Sequence, residues 1–345
     1  TISATTKSEK NLIPKNHEIA WEQFEINIPA VNFKLQQTTK VLISENDSTI
    51  KISSKQCEVL FDKSLGIMTE LYLGDRTNLI HHKSGFTPNF WRAPIDNDFG
   101  NDLHIRAKDW RYVSKNRTVK SIHTQMDGAN AAVTITYDLD TELGKNMGVF
   151  ISKYTINATG EILVENELIK SDTNVSEIPR IGLNIQLNRN LDQMTWYGRG
   201  PHESYWDRKS GAKIGVYSGS VADQYWPYIR PQENGNKTDT RWVSLIDKNG
   251  KGIIIKGIPR IDISAHHNIM EDFESLERTD GRHRDGDVVK NRHTIDVVPR
   301  DLVSLNIDYR QMGVGGDTSW GAHTHPEYKL TAKKYSYSFV IIPKL

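Results

Sequence analysis

Polar and apolar residues alternate along much of this chain, and short clusters of turn-forming residues interrupt the alternation. The pattern is clearest in residues 48–53, 132–138, 181–187 and 302–309. Because successive side chains of a strand point to opposite faces, it predicts strands with one buried face. Residues 247–251 (DKNGK) separate two apolar runs, and their Asn-Gly pair predicts a hairpin with a type I′ turn.

Helix-type spacing is confined to two short segments, 102–113 and 268–276. Turn-forming clusters recur roughly every 8–12 residues, which predicts roughly 15–20 strands. A chain of 345 residues is long enough for one large β domain or two ordinary ones. We therefore predict an all-β fold built as a large antiparallel sandwich.

A change of composition near residue 35 predicts a domain boundary. Residues 17–28 predict one strand with aromatic anchors, and residues 29–40 have the composition of a linker. We predict that residues 1–35 are the last strand of a preceding domain plus a linker. Residues 36–345 then form one sandwich domain.

Charge and hydropathy exclude several classes of partner. The formal net charge is +1, so nothing favours nucleic acid. The longest apolar runs, 252–258 and 339–343, are too short to cross a bilayer, so no membrane partner is expected. Cys57 is the only cysteine, which leaves the bacterial cytoplasm and the periplasm both open. The chain begins with Thr1 and no signal-type segment follows, so we expect a processed chain or a part of a longer one.

Five segments carry motifs beyond the strand pattern: HEIAWEQFEI at 17–26, NFWRAPIDNDFG at 89–100, WYGRGPHESYWDRKSGAKIGVY at 196–217, DQYWPYIRPQENGNKTDTRWV at 223–243 and MGVGGDTSWG at 312–321. In this order they resemble segments of the carboxy-terminal, small-chain region of family 2 β-galactosidases of the lac-operon type. The resemblance covers nearly the whole chain. Ser204 stands where that family usually has asparagine.

The resemblance implies a galactose-mutarotase-like supersandwich, which agrees with the all-β prediction. It also implies that residues 1–35 end an immunoglobulin-like domain and that a catalytic (β/α)8 barrel lies upstream of Thr1. The family hydrolyses terminal β-D-galactosides with retention, which needs two carboxyl groups about 5–5.5 Å apart. Because its catalytic glutamates and magnesium ligands belong to the barrel, we expect no catalytic residue and no metal here, and an inactive isolated chain.

The resemblance implies that Trp320 reaches the mouth of the barrel's active site and stacks on the sugar. An indole can cover the apolar C–H face of a pyranose. Gly315 and Gly316, within VGGD, predict a tight turn with unusual φ angles that lifts the indole clear of the sandwich. The competing interpretation from the residues alone is a core aromatic at the start of a strand.

Histidines offer weaker candidates. His323 and His325 point to the same side if their segment is extended, which leaves open a contact at the active-site rim, ordinary hydrogen bonds or two metal ligands. A third metal ligand at a diagnostic spacing is not evident. His81–His82 and His266–His267 are adjacent, so on a strand each pair faces opposite ways and shared ligation is not predicted.

Acidic residues in the motifs have structural interpretations. Asp96–Asp98 follow a proline and predict turn chemistry, with Arg92 pairing with a carboxylate. Glu233 is expected to serve the structure. His202 and Glu203 suggest the acid/base pair of a mutarotase, but their motif is that of the β-galactosidases.

Several functions remain open at this point. The chain can be the carboxy-terminal part of one polypeptide, the small subunit of a two-chain β-galactosidase, a free-standing carbohydrate-binding or mutarotase-like module, or an architectural domain. The expected partners are a β-galactoside sugar, the upstream barrel and immunoglobulin-like domains, and further copies of the intact enzyme in a homo-oligomer.

Overall fold

Nineteen β-strands, three short α-helices and five 3₁₀ turns form in the part of the chain that the computed structural model describes. That part comprises residues 1–26, 33–74, 77–171, 175–274, 291, 293–318 and 320–344. The all-β prediction is confirmed. The chain divides into two units, Thr1–Asn32 and Phe33–Leu345, while the assignment of the first residues to a preceding domain stays a prediction.

The first unit contains one two-stranded antiparallel sheet, β1 (Ile2–Thr5) with β2 (Glu18–Glu22). The strand predicted over 17–28 is therefore shorter, and its last residues lie outside the described ranges. Ile19 is 67% exposed and Phe24 is 66% exposed. A two-stranded ribbon has no second layer against which such side chains can be buried.

The second unit is built from two antiparallel sheets. The smaller one has five strands: β3 (Leu42–Glu45), β4 (Thr49–Ser53), β5 (Cys57–Asp62), β6 (Ile67–Leu73) and β7 (Thr77–Asn78). The larger one has twelve strands: β8 (Thr87–Asn89), β9 (Thr118–Asp127), β10 (Asn130–Asp140), β11 (Asn146–Ile156), β12 (Ile162–Lys170), β13 (Arg180–Leu187), β14 (Gln193–Gly200), β15 (Lys213–Ser220), β16 (Lys237–Ile246), β17 (Gly252–His266), β18 (Val303–Gln311) and β19 (Lys334–Lys344).

Alternation along the strands places one face of each sheet in a shared core. In β12, Ile162 and Val164 are fully buried, whereas Glu165 is partly exposed. Phe61 of the smaller sheet packs edge-on against Tyr154 of the larger one, with ring centroids 5.3 Å apart. One apolar cluster contains residues of both sheets, which confirms the predicted large sandwich.

Strand β17 changes partners part way along its length. Residues 252–258 pair with β19, and residues 262–266 pair with β18. Pro259 lies at the change and has no amide hydrogen to donate to a strand ladder. The larger sheet therefore branches, and β18 pairs with β13 in the second arm. The loop 312–333 leaves the sheet from the end of β18.

The hairpin between β16 and β17 forms, but the type I′ prediction is wrong. Gly250 has a positive φ of +80°, whereas Asn249 does not. The Asp247 carboxylate accepts the amide hydrogens of Asn249 (2.8 Å) and Lys251 (3.0 Å). This capping holds Asn249 in an ordinary conformation and leaves a three-residue loop with glycine in the left-handed region.

The helix predicted over 102–113 is two helices, α2 (Leu103–Arg106) and α3 (Lys108–Asn116), separated by Ala107 at φ −107° and ψ 11°. Helical spacing continues across the break, since the same side is buried throughout: Leu103, Ala107, Trp110 and Val113. None of the described helices has the length and apolarity needed to cross a membrane.

The second predicted helix is wrong over 268–274, where the structure has only a 3₁₀ turn, Met270–Asp272. Its remaining predicted residues lie outside the described ranges. The Asp272 carboxylate accepts the Ile269 amide hydrogen (3.1 Å) and a hydrogen of the Arg300 guanidinium (2.6 Å). The first of these bonds is a cap at the start of the short turn.

Candidate functional site

Trp320 lies in the loop 312–333, and 89% of it is exposed. The competing interpretation of a core aromatic is therefore wrong. Gly315 and Gly316 do not have positive φ angles, contrary to the prediction for the VGGD turn. Gly321 does, at +98°, so the left-handed residue of this turn directly follows the indole.

Arg92 holds the start of this loop from inside the protein. Its guanidinium is fully buried and donates to the carbonyl oxygens of Met312 (2.8 Å) and Gly313 (3.1 Å). Asp98 supplies the opposite charge at 3.0 Å. The predicted pairing of Arg92 with a carboxylate is confirmed, and a buried charge of this kind needs such a partner.

Asp98 belongs to a short helix, α1 (Asp96–Gly100), and not to the simple turn predicted for Asp96–Asp98. Its carboxylate also accepts the amide hydrogen of Ile95 at 3.1 Å. A carboxylate at this position satisfies a backbone donor that has no partner within the helix. The acidic segment therefore fixes both α1 and Arg92.

Asp207 holds the next two residues of the loop. Its carboxylate oxygens accept the amide hydrogens of Val314 (3.0 Å) and Gly315 (2.6 Å). Asp207 comes from the segment 196–217, so a second family motif meets the loop that carries Trp320.

Two glycines form the third attachment. A Cβ atom built on Gly321 is 2.2 Å from the carbonyl carbon of Gly100, closer than any side chain allows. The two backbones can approach this closely only because both residues lack a side chain. The residue after Trp320 is thereby held against the end of α1.

His323 and His325 have different surroundings. His325 hydrogen-bonds Asp317 through Nε2 at 2.8 Å, and this contact raises the pKa of its imidazole. Partial burial, with Arg106 and Lys329 nearby, lowers the pKa of His323. Both are exposed, and a contact of either with substrate stays a prediction. Within the described ranges, three or more His, Cys, Asp or Glu side chains do not gather as a metal-binding group.

A buried ion cluster adjoins the start of the loop. The Arg180 guanidinium lies 2.9 Å from Glu233 and 3.1 Å from Asp308. Gln311, the last residue of β18, donates to the same Glu233 oxygen at 3.0 Å. The structural use expected for Glu233 is therefore confirmed.

One guanidinium faces two carboxylates here, so the cluster has an excess of acid. Burial raises the pKa of Asp308 to about 8, with Arg180 opposing the shift and Glu233 adding to it. Its cross-strand neighbour Asp262 is also buried, and its pKa rises to about 7. Burial therefore favours the neutral form of the Asp308 carboxyl over its charged form.

We predict that Asp308 makes stability depend on pH. An unfolded aspartate has a pKa of about 3.9, so between that pH and about 8 only the folded chain binds this proton. Its stabilising contribution is complete below about pH 4 and is lost as the pH rises through about 8. In urea unfolding from pH 5 to 9, Asp308→Asn should flatten this decline, whereas Asp47→Asn on an exposed turn should not. An unchanged slope in Asp308→Asn contradicts the prediction.

Glu203 is engaged within its own chain. Its carboxylate accepts hydrogen bonds from the Arg208 guanidinium, the Tyr228 hydroxyl and, at 2.8 Å, the Gly235 amide. The neighbouring His202 is exposed. These contacts do not favour Glu203 as the acid or base of a mutarotase.

The adjacent histidine pairs behave differently from one another. His81–His82 lies in a 3₁₀ helix with ring centroids 4.1 Å apart, so treating the pair as strand residues was wrong. His266 donates to the carbonyl of Asn234 (3.0 Å), and His267 donates to that of Leu302 (2.8 Å). The two imidazoles of the second pair therefore bind different parts of the chain.

Sequence reasoning missed Asp207 and the contact of Gly100 with Gly321. The available signal was the density of glycines around Trp320, because a glycine marks a place where other atoms approach the backbone. It does not say which atoms approach.

Comparison with known proteins places these residues in a family. A family model described as "Beta galactosidase small chain" matches residues 53–341. A β-galactosidase of Priestia megaterium is 36% identical over 345 residues, which cover 99% of this chain and 31% of that protein. A β-galactosidase of Pseudoalteromonas haloplanktis is 32% identical, with 94% and 30% covered. The chain spans less than a third of the length of these two curated relatives.

One solved structure that matches is a galactose mutarotase related enzyme from Lactobacillus acidophilus, with 8% sequence identity and a TM-score of 0.46. The match covers 86% of this chain and 97% of that one. A galactose 1-epimerase from Lactobacillus acidophilus has 10% identity and a TM-score of 0.41, with 90% and 99% covered. Scores at this level carry no argument, so the fold assignment rests on the two sheets themselves.

Proposed function

The chain belongs to the β-galactosidase small-chain family, and on that premise we propose that it is the carboxy-terminal part of a family 2 enzyme of the lac-operon type. The proposed enzyme hydrolyses terminal β-D-galactosides with retention at the anomeric carbon. Five motif segments in the family's order support this, as does the match to less than a third of each longer β-galactosidase.

The observation that carries the proposal is an exposed Trp320 on a loop held at several points. An indole that is 89% exposed has its faces available to a ligand. Because a pyranose presents an apolar C–H face, stacking removes apolar surface of both partners from water. A loop already held in place loses little conformational freedom when the sugar binds. In this proposal Trp320 binds and orients the galactoside.

The bond-breaking groups of the proposed enzyme lie in an upstream barrel. Retention needs a nucleophile and an acid/base that face the substrate. Four carboxylates of the motif segments instead accept hydrogen bonds from the chain's own arginines or backbone: Asp98, Asp207, Glu203 and Glu233. Magnesium is likewise proposed to bind in the barrel, as the family resemblance implies.

The remaining partners belong to the same proposal. An immunoglobulin-like domain is proposed to continue the sheet of β1 and β2, since Ile19 of β2 and Phe24, which follows that strand, are exposed. The intact enzyme is proposed to be a homo-oligomer. A second candidate is the small subunit of a two-chain enzyme, which the description "small chain" of the matching family favours.

We predict that the purified chain alone does not hydrolyse a chromogenic β-galactoside. Activity should appear when the upstream part is fused to it, because the carboxylates and Trp320 then form one site. Activity on mixing the two separate parts favours the two-chain enzyme, and the upstream part alone serves as the control. Hydrolysis by this chain alone would mean that the sandwich contains its own catalytic carboxylates, and the proposal would be wrong.

A further inference from the structure

We infer that Asp207 is a positioning residue for Trp320, which it controls by binding the backbone at the start of the indole's loop. The inference rests on the proposed function for its effect on substrate. Its structural basis is independent of substrate, because both carboxylate oxygens accept backbone amide hydrogens, from Val314 at 3.0 Å and from Gly315 at 2.6 Å.

Asp207 and Arg92 bind consecutive backbone groups with opposite charge. Arg92 donates to the carbonyls of Met312 and Gly313, and Asp207 accepts from the amides of the next two residues. Hydrogen bonds to a charged group are roughly twice as strong as those between neutral groups. The cation fixes the carbonyl groups and the anion fixes the amide groups, so the peptide planes are held in one orientation.

Glycines make room for the carboxylate. A Cβ built on Gly313 is 2.6 Å from Asp207 Oδ2, and one built on Gly315 is 3.0 Å from the same atom. Neither residue has a positive φ, so backbone conformation does not require glycine at either position. At both positions the Asp207 carboxylate leaves little room for a Cβ atom, and at Gly313 the Cβ of Tyr328 also lies 3.0 Å away.

Asp207 is itself held firmly. Tyr205 and Arg208 exchange two backbone hydrogen bonds, of 3.0 and 2.9 Å, which close a tight turn around it. The preceding Trp206 packs edge-on against Tyr328, whose carbonyl accepts the amide hydrogen of Gly313 at 2.8 Å. The Asp207 carboxylate thus projects from a fixed turn, and Tyr328 contacts both this turn and the loop that the carboxylate binds.

The test compares Asp207→Asn with the parent in the β-galactosidase polypeptide that contains this chain. Asparagine keeps one acceptor, but its NH₂ group faces the second amide hydrogen and cannot bind it. We expect hydrogen exchange in peptides covering 312–318 to become about tenfold faster or more. We also expect KM for a β-galactoside to rise about fivefold or more while kcat changes less than about twofold.

A double-mutant cycle separates this role from a general structural one. If Asp207 acts through Trp320, adding Asp207→Asn to Trp320→Ala changes KM by less than about twofold. Asp247→Asn is the matched control, since Asp247 also accepts two backbone amide hydrogens in a turn but lies in the hairpin between β16 and β17. It should leave exchange over 312–318 and KM unchanged.

Unchanged exchange over 312–318 in Asp207→Asn overturns the inference. So does an unchanged KM in that variant when Trp320→Ala raises it. If Trp320→Ala itself leaves KM unchanged, the proposed function is wrong, while the exchange rates still decide whether Asp207 holds the loop. Should Asp207→Asn not fold, Gly315→Ala pushes the carboxylate by a few tenths of an ångström, with Gly211→Ala in open space as its control.

Discussion

Replacement of Trp320 by alanine in the complete β-galactosidase should raise KM about 10- to 100-fold, which corresponds to about 1–3 kcal/mol of lost binding free energy. The change removes an aromatic face and leaves the proposed catalytic carboxylates in place, so kcat should change far less. Because the side chain is 89% exposed, thermal stability should stay the same. Steady-state kinetics and a melting curve measure both effects.

The control is Trp226→Ala, because Trp226 is also exposed, at 56%, and lies in a different loop. It should leave KM unaffected. Trp320→Phe keeps an aromatic face and should recover part of the affinity. A Trp320→Ala enzyme with normal KM would show that the indole does not contact substrate.

Arg92→Met should destabilise the chain by about 3–5 kcal/mol. Asp98 would keep a buried negative charge without its partner, and the carbonyls of Met312 and Gly313 would each lose a donor. An unpaired charge in a buried site is among the most costly single changes. Urea unfolding followed by circular dichroism measures the loss.

Lys145→Met is the matched control, since Lys145 pairs with Asp109 at 3.1 Å on the surface. Its loss should cost less than about 1 kcal/mol. Arg92→Met combined with Asp98→Leu should be less destabilised than Arg92→Met alone, because the second change removes the stranded charge. If the single Arg92→Met variant lost no more than the Lys145 control, the proposed role of the ion pair would be wrong.

The strands could be predicted because their signal is local. Residues 181–187 and 302–309 alternate, and both lie almost entirely within observed strands, β13 and β18. Burial of one face of a strand places apolar residues at every second position. This spacing can be recognised without knowing which strand is the partner. The sandwich follows, because each sheet has an apolar face to cover.

A local side-chain hydrogen bond accounts for the error in the hairpin turn. Asp247 caps the loop between β16 and β17, which takes a three-residue form instead of the type I′ turn. Hydrophobic periodicity contains no information about such caps. The break between α2 and α3 at Ala107 could not be predicted from the sequence either, because the helical spacing of apolar residues continues through it.

One part of the candidate site could be predicted from the sequence, and another part could not. Trp320 could be proposed from the family resemblance. Its exposure in the structure then showed that the side chain lies at the surface and not in the core. The role of Asp207 could not be predicted, because it depends on a contact between residues 107 positions apart. The sequence shows that residue 207 is an aspartate, but it does not show which two backbone amides its carboxylate binds.

The attachments of the Trp320 loop also bear on the order in which the domain forms. Arg92 meets Met312 across 220 positions, and Asp207 meets Val314 across 107. Contacts this distant in sequence form slowly, because much chain entropy is lost before they can stabilise anything. The loop that carries the Trp320 indole is therefore fixed only when the first and last thirds of the domain have met. While the last third of the domain is still being synthesised, these contacts cannot form and the Trp320 loop is not yet held in place. An ordered loop therefore indicates that the domain has finished folding.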